Sequence, residues 1–411
     1  MVGGGNLRGV TFILSNFEVT VEKLVYGGDG LARLDGQVVF APYVLPGERI
    51  RAHAEQQKPG LVRARTLEVL EPAAERVTAP CPVFGRCGGC HYQHAPYEYQ
   101  LAAKRAILIE AIGRLGKLTP PEQIDVVMSE PFGYRNRVQL HVEEKRLGYR
   151  EGRSHHLCAI TACPISSPKV NEAIAALVRM QKDWRWPRFI RSIEIFTDEE
   201  QVQINVLGTD RPVARRFFEW CAHEIPGVVE GALDYRGAFR VSSNSFFQVN
   251  RFLVDELARV ALDGATGDRA LDLYAGVGLL SLPLARAFGE VTAVESGAGA
   301  VRDLQFNAER AGLSNLLAVS QTAEEHLAQL ERTPDLIVLD PPRTGLGKAV
   351  VARLAELKPR QITIVACDPA TLSRDLAGLV GAGYRIENMT LIDLFPQTYH
   401  IETVVRLGLS A

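Results

Sequence analysis

The sequence predicts an α/β protein in three parts. These are a small β-barrel over residues 1–74, a central α+β region over 75–239, and a doubly wound parallel sheet over 240–411. Three observations carry this reading. Turn signals (YGGDG, LDGQ, LPGE, QKPG) recur roughly every ten residues between short β-rich runs through 17–72, the pattern of a small antiparallel barrel. Beyond residue 240, buried strands alternate with helical runs, as in an open parallel sheet. Finally, the strands NMTLIDLF and IETVVRL are separated only by PQTYH. A parallel crossover needs about a dozen residues, so the sheet ends in an antiparallel hairpin.

Composition narrows the class. With 411 residues, 46% hydrophobic and 23% charged, the chain reads as an ordinary globular protein. A net charge of −2 gives no global nucleic-acid signature, so any polyanion must meet local basic patches. The N-terminal run GVTFIL is too short to span a bilayer and lacks the layout of a signal peptide. The expectation is therefore a cytoplasmic protein with no membrane association. Seven cysteines, an odd number and clustered, suit a metal in a reducing compartment better than a disulfide framework.

The first cluster lies just after the barrel. In APCPVFGRCGGCHYQH, Cys81, Cys87 and Cys90 have the spacing C-x5-C-x2-C, and Cys163 in ACPIS offers a fourth thiol, with Cys158 as a competitor. Four thiolates suit zinc or a [4Fe–4S] cluster, and spacing alone slightly favours zinc, the commoner structural metal. YEYQLAAKRAILIEAIGRLG follows as a helix, then RNRVQLHVEE and RSIEIFTDEEQVQINVLG as strands. RMQKDWRWPRFIR sets five cations and one acid among Trp184, Trp186 and Phe189, a candidate RNA-contacting patch, and YRNRVQ adds Arg135 and Arg137.

The third part carries the chemistry. In LDLYAGVG, Asp272 ends a strand, Tyr274 follows, and Gly276 and Gly278 form the turn. No third glycine follows two residues later, which weakens a dinucleotide reading. Glu295 closes the next strand 19 residues after Gly276, where an acid accepts ribose hydroxyls. Together with the terminal hairpin, these features point to the Rossmann-like fold of S-adenosylmethionine (SAM) methyltransferases. LDPPRTG puts Asp340 and Arg343 at a strand's C-terminal end, where open sheets bind ligands. VACDPATLSRDL puts Cys367 at the next strand tip before a helix, whose dipole favours the thiolate.

YGGDGLAR, the cysteine loop, GYRNRVQ, NSFFQVN, LDLYAGVG, DPPRTG, CDPATLSRDL and FPQTYHIET together resemble the RNA uracil C5-methyltransferases. The likeness is to the branch with an N-terminal TRAM (OB-like) barrel and an iron–sulfur loop. The resemblance implies a [4Fe–4S] cluster on Cys81, Cys87, Cys90 and Cys163, because the family pattern has Cys-Pro at the fourth position. It implies Cys367 as nucleophile toward uracil C6, Glu402 of HIET as the base that removes the C5 proton, Gln248 of FFQVN, with Tyr274 and Glu295, on the cofactor, and Asp340 on the cofactor or the target base. It points to a monomer acting on 23S rRNA, with tRNA the alternative. Three departures stand out: Asp368 where the family often has Asn, Ala275 where it often has Cys, and Leu279 where it often has a polar residue. A radical-SAM methylthiotransferase would need C-x3-C-x2-C, which is lacking, and an amino-methylating enzyme an aromatic residue after the prolines, where Arg343 stands. A non-enzymatic iron–sulfur RNA-binding protein would leave Cys367 and Glu402 as coincidences.

Overall fold

The computed structural model describes residues 16–410, so the GVTFIL run lies outside the described residues. The chain divides into two compact units: Met1–Ile107 with Gln397–His400, and Leu108–Pro396 with Ile401–Ala411.

In the first unit, β1 (Asn16–Leu24), β2 (Asp29–Leu34), β3 (Gln37–Pro42), β4 (Arg49–Lys58) and β5 (Leu61–Glu71) close into a barrel of order β1-β2-β3-β5-β4. Four of its pairings are antiparallel, but β3 and β5 run parallel. A ring of five strands cannot alternate direction throughout, so one parallel pair follows from closure itself. Small side chains (Ala32, Ala41, Ala52, Ala64) and valines fill the narrow interior.

A buried ion pair fastens the end of the barrel. Glu48 is fully buried and accepts from Arg76 Nε (2.5 Å), Arg76 Nη2 (2.8 Å) and Leu45 N (2.8 Å). Burial pushes its carboxyl up, but Arg76 and the backbone N–H groups of Leu45 and Ala73 outweigh it and hold it below the usual carboxylate range. The segment 72–96 has neither helix nor strand and runs through successive turns, with Phe84 N donating to Cys81 O and Cys87 N to Val83 O. His91 N and Tyr92 N donate to Gln397 O, and Gln100 exchanges side-chain and backbone bonds with Gln397.

Helix α1 (Tyr97–Arg114) leads to the second unit, whose first strand is β6 (Asp125–Val127). Its central sheet has order β11-β10-β7-β8-β9 and is antiparallel throughout. The strands are β7 (Arg137–Glu143), β8 (Arg146–Arg150), β9 (Leu157–Ala159), β10 (Ile190–Thr197) and β11 (Val202–Thr209). Helix α2 (Pro168–Met180) buries Val170, Ala173, Ile174 and Leu177 on one face and is capped by Ser167. Then come α3 (Arg215–Glu224) and the small hairpin of β12 (Leu233–Tyr235) and β13 (Phe239–Val241).

The large sheet has order β16-β15-β14-β17-β18-β20-β19-β6. Five strands are parallel: β14 (Gly267–Leu273), β15 (Phe288–Glu295), β16 (Leu316–Ser320), β17 (Leu336–Leu339) and β18 (Gln361–Ala366). Helices α4 (Val254–Ala261), α5 (Ser281–Ala287), α6 (Ala298–Arg310), α7 (Ala323–Gln329), α8 (Gly347–Leu357) and α9 (Pro369–Gly381) alternate with them. The sheet then ends in the expected antiparallel hairpin of β19 (Tyr384–Ile392) and β20 (Glu402–Leu409), with β20 inserted between β18 and β19. Strand β6 adds to it parallel to β19, an extension with no mark in the sequence because it is only three residues long.

Removing the Glu48 carboxylate leaves Arg76 without its buried partner. Glu48→Ala is expected to lower the barrel's stability by about 3 kcal/mol. Urea-dependent amide exchange reads this as lost protection in β1–β5, with the large sheet unchanged.

Candidate active site

Strands β18 and β20 run antiparallel, with Ala366 opposite Thr403. One further step in that register sets Cys367 opposite Glu402. Glu402 also pairs with Ile392 of β19 and is 6% exposed. Cys367 precedes Asp368, which caps α9 by accepting from Ala370 N (3.0 Å) and Thr371 N (2.9 Å). Asp and Asn cap helices about equally well, so Asp368 preserves the helix start.

The DPPR loop is held by the same helix. Asp340 follows β17, and its N–H reaches Leu273 O (3.4 Å) at the end of β14. That is the switch point of the sheet, where strand order reverses and a crevice opens. Thr371 Oγ1 donates to Arg343 O (3.3 Å), Arg374 Nη2 to Thr344 O (3.0 Å), and Leu346 N to Asp375 Oδ2 (2.7 Å).

These groups perturb one another. Burial pushes the Cys367 thiol up to about 12, reinforced by Glu402 and Asp340 and opposed by Arg343. Burial also raises Glu402 well above the carboxylate range, with Asp340 adding to it and Arg343 opposing. Asp340 is raised by burial to about 7. The dipole of α9 was expected to favour the thiolate, but burial among carboxyls outweighs it. Burial thus favours the protonated forms of Cys367 and Glu402, and Arg343 favours their charged forms.

The turn after β14 forms the other half of the site. Tyr274 and Gly276 both adopt positive φ (63° and 56°), and a side chain on Gly276 would project into space no atom fills. At Gly278 a Cβ would strike Leu282 and Leu304 at 2.5 and 2.6 Å. Glu295 accepts from Gly276 N (3.1 Å) and Gly297 N (2.6 Å), tying the turn to β15. Asp272 is buried. Its Oδ2 accepts from Ser281 Oγ (2.5 Å), whereas its Oδ1 has no partner. Burial raises Asp272 to about 7; Ser281 opposes this, and Asp340 and Glu295 add to it. A buried carboxyl oxygen awaiting a partner beside an open glycine turn fits a ligand that brings hydroxyls and positive charge. Leu279 packs into the apolar core beneath the turn.

Sequence reasoning did not single out Asp303 and Asn307, four apart on α6. Asp303 accepts from Ser242 N (2.8 Å), Ser242 Oγ (2.7 Å) and Ser245 Oγ (2.6 Å), anchoring the segment that carries Gln248. Asn307 Nδ2 donates to Val277 O (3.0 Å) inside the glycine turn, and its Oδ1 accepts from Arg240 N (2.7 Å). Both are polar positions on a helix's buried face, which is the signal that could have found them. Gln248 is 7% exposed, and the next residue's carbonyl, Val249 O, accepts from Asn136 N (3.0 Å) in GYRNRVQ.

The cysteines divide between the units. Cys81, Cys87 and Cys90 lie in the turn-rich loop of the first. Cys163 lies in the second, in a turn clasped by Asn171, which accepts from Cys163 N (2.8 Å) and donates to Cys163 O (3.0 Å). Cys158 is fully buried within β9. Among the described residues no group of three or more His, Cys, Asp or Glu side chains is placed to hold a metal ion, and no helix is long and apolar enough to cross a membrane. Arg137 serves the fold, pairing with Glu194 (2.8 Å) and donating to Ser245 O (2.7 Å).

Comparison with known proteins agrees with this geometry. Residues 228–409 match the tRNA (Uracil-5-)-methyltransferase family, and residues 13–67 match the TRAM domain. An uncharacterized RNA methyltransferase of Aquifex aeolicus is 31% identical over 95% of this chain and 98% of its own length. Another, from Streptomyces coelicolor, is 36% identical over 97% and 94%. The crystal structure of Pyrococcus abyssi tRNA (uracil-54, C5)-methyltransferase with S-adenosyl-L-homocysteine is 25% identical. It superposes with a TM-score of 0.73 over 95% of this chain and all of that one. With its paired thiol and carboxyl at the end of a SAM-methyltransferase sheet and its barrel of TRAM type, this chain belongs to the SAM-dependent RNA (uracil-5-)-methyltransferase family.

Proposed function

We propose that the enzyme methylates C5 of a uridine in 23S rRNA through a covalent bond between Cys367 and uracil C6. The observation that carries this is the placement of Cys367 and Glu402 one step beyond the Ala366–Thr403 pair, where the carboxyl acts on the thiol. Uracil C5 is a poor nucleophile. Addition of the Cys367 thiolate at C6 turns the ring into an enolate whose C5 accepts a methyl group. SAM, when bound, supplies that methyl as an electrophile. Glu402 then removes the C5 proton, the C5–C6 double bond re-forms and the thiolate leaves. A carboxyl buried as Glu402 is has the high proton affinity this base needs. Arg343, which opposes the pKa rise of both groups, favours their charged forms and pairs with uracil oxygens or RNA phosphate.

Tyr274, Glu295, Asp340 and Gln248 are assigned to the cofactor, with Asp272 beside them. The target uridine must leave its stack to reach Cys367. The 23S assignment rests on the TRAM-barrel and cysteine-loop motifs. The likeness to an enzyme acting on tRNA uracil-54 favours tRNA as the second reading. The division into barrel 1–74, RNA-binding centre 75–239 and catalytic part 240–411, the cytoplasm and a monomeric state belong to the same proposal. So does a [4Fe–4S] cluster on Cys81, Cys87, Cys90 and Cys163, whose four thiolates are a ligand set of that chemistry. Methyl transfer needs no electron, so the cluster's role is structural or RNA-binding.

Incubation with SAM and unmodified 23S rRNA or tRNA, followed by nuclease digestion and mass spectrometry, tests the substrate. 5-Methyluridine in 23S rRNA is expected, and its appearance in tRNA alone would replace the substrate. Cys367→Ala is expected to abolish transfer. Glu402→Gln should slow turnover by about 10²–10⁴-fold and accumulate a protein–RNA adduct that survives a denaturing gel. Without that adduct the covalent route fails.

Asp272 gives a pH signature. Its folded pKa is about 7 and its unfolded value is near that of a free carboxyl, so the folded protein holds a proton that the unfolded chain releases between the two. The stability due to that proton is full below the unfolded pKa and lost as pH rises through 7. Asp272→Asn should therefore melt about 3 °C higher than the parent at pH 8, with the difference shrinking steadily as pH falls toward about 4. An equal difference at both pH values would trace the effect to packing.

For the cluster, anaerobically purified protein is expected to hold about four iron atoms per chain, and Cys90→Ala to lose them. Zinc in their place would overturn the assignment.

A further inference from the structure

The basic aromatic stretch RMQKDWRWPRFIR separates into two kinds of residue once folded. Trp186 is buried against Phe217, Arg211 lies over Phe189, and Arg185 is spent on Asp183 and on the ring of Trp220. Trp184 is the opposite: it is 89% exposed. It stands at a cavity of about 460 Å³ walled by the β7–β8 hairpin and the loop between α2 and β10. Ligand sites commonly have volumes of this order.

Three features of the cavity point to the same ligand. First, Gln181 lines it, is 3% exposed, and leaves its Oε1 with no hydrogen-bond partner. A buried acceptor left unpaired is destabilising, and a ligand N–H would satisfy it. Second, Lys145, Lys182 and Arg188 line the same cavity, and among the described residues none has an ion-pair partner. The acids nearby are compensated, Asp183 by Arg185 and Glu144 by Arg146, so an excess of positive charge faces the opening. Third, an exposed indole offers a flat apolar face, on which a nucleobase stacks. Cations, an aromatic platform and a buried amide together match an unpaired nucleotide better than a peptide or a lipid.

We propose that this cavity binds an unpaired nucleotide of the substrate RNA, separate from the uridine that is methylated. Trp184 stacks on the base, the Gln181 amide meets its amino-bearing Watson–Crick edge (adenine or cytosine), and Lys145, Lys182 and Arg188 meet the flanking phosphates. The site fixes where the RNA lies, so it acts in substrate choice and makes no contact with the reacting atoms. The inference rests on RNA being the substrate and is independent of whether that RNA is ribosomal or transfer.

The test uses the full chain and whichever RNA the mapping experiment shows to be methylated. Trp184→Ala, an exposed substitution, should raise KM for that RNA about tenfold, with the loss falling in KM rather than kcat. Arg188→Ala should raise KM and flatten its dependence on salt. Dimethyl sulfate footprinting locates the contact: the parent enzyme should protect one unpaired adenine at N1 or cytosine at N3 away from the target, and Trp184→Ala should restore its reactivity. Unchanged KM in both variants together with an unchanged footprint would overturn the proposal and leave the patch to a protein partner. Because the parent enzyme's methylation of the same RNA is the reference, loss of this site is distinguishable from failure of the RNA reading itself.

Discussion

The active site depends on one pairing, that of β18 with β20. A parallel neighbour would bring the far end of its strand to the tip of β18. The antiparallel β20 brings its first residue instead, so Cys367 and Glu402 follow directly on the Ala366–Thr403 pair, near enough for the carboxyl to raise the thiol's pKa. A slip of one residue would turn every β20 side chain to the opposite face and remove Glu402 from the crevice. Burial on both faces of β20 guards against that slip, since Thr403, Val404, Val405 and Leu407 are all almost fully enclosed. The precision of the site is thus inherited from the core of the sheet.

The DPPR loop borrows the same rigidity through α9. Thr371, Arg374 and Asp375 lie on successive turns of a helix whose first residues follow Cys367 directly, and each bonds to the loop between Asp340 and Leu346. Gly345 lets this happen, with a positive φ of 75° and a site where any Cβ would meet Asp375 Oδ2 at 2.5 Å. Displacing the loop therefore means displacing the start of α9, which follows Cys367. Asp340 and Cys367 come from different strands but are tied through the same helix.

Much of this architecture was legible because its causes are local. Apolar runs broken by glycine turns announce parallel strands, and a five-residue link forbids a crossover. The placement of Cys367 was also readable, as a lone thiol at a strand tip beside a helix start. Glu402 was not readable from residues alone: a carboxylate opening a strand looks like a solvated end, and only the strand register brings it beside Cys367. The ionisation of Cys367 was misjudged for the same reason, because the helix dipole is local whereas burial and the carboxyls of two other strands are not. Trp184 and Trp186 show the limit most clearly. They are two residues apart in one basic stretch, yet one is almost wholly exposed and the other is core.

The cluster of Asp272, Asp340 and Glu402 also sets a direction for ligand binding. Burial raises all three carboxyls, Asp340 adds to the rise of the other two, and Arg343 offsets part of it at Glu402, so each is destabilising when ionised. A cation held against Asp272 and Asp340 lowers both values and returns their charge at neutral pH. On the proposed function, the methyl donor is such a cation and its demethylated product, a neutral thioether, is not. A donor cation seated beside these carboxyls would therefore be held more tightly than its neutral product.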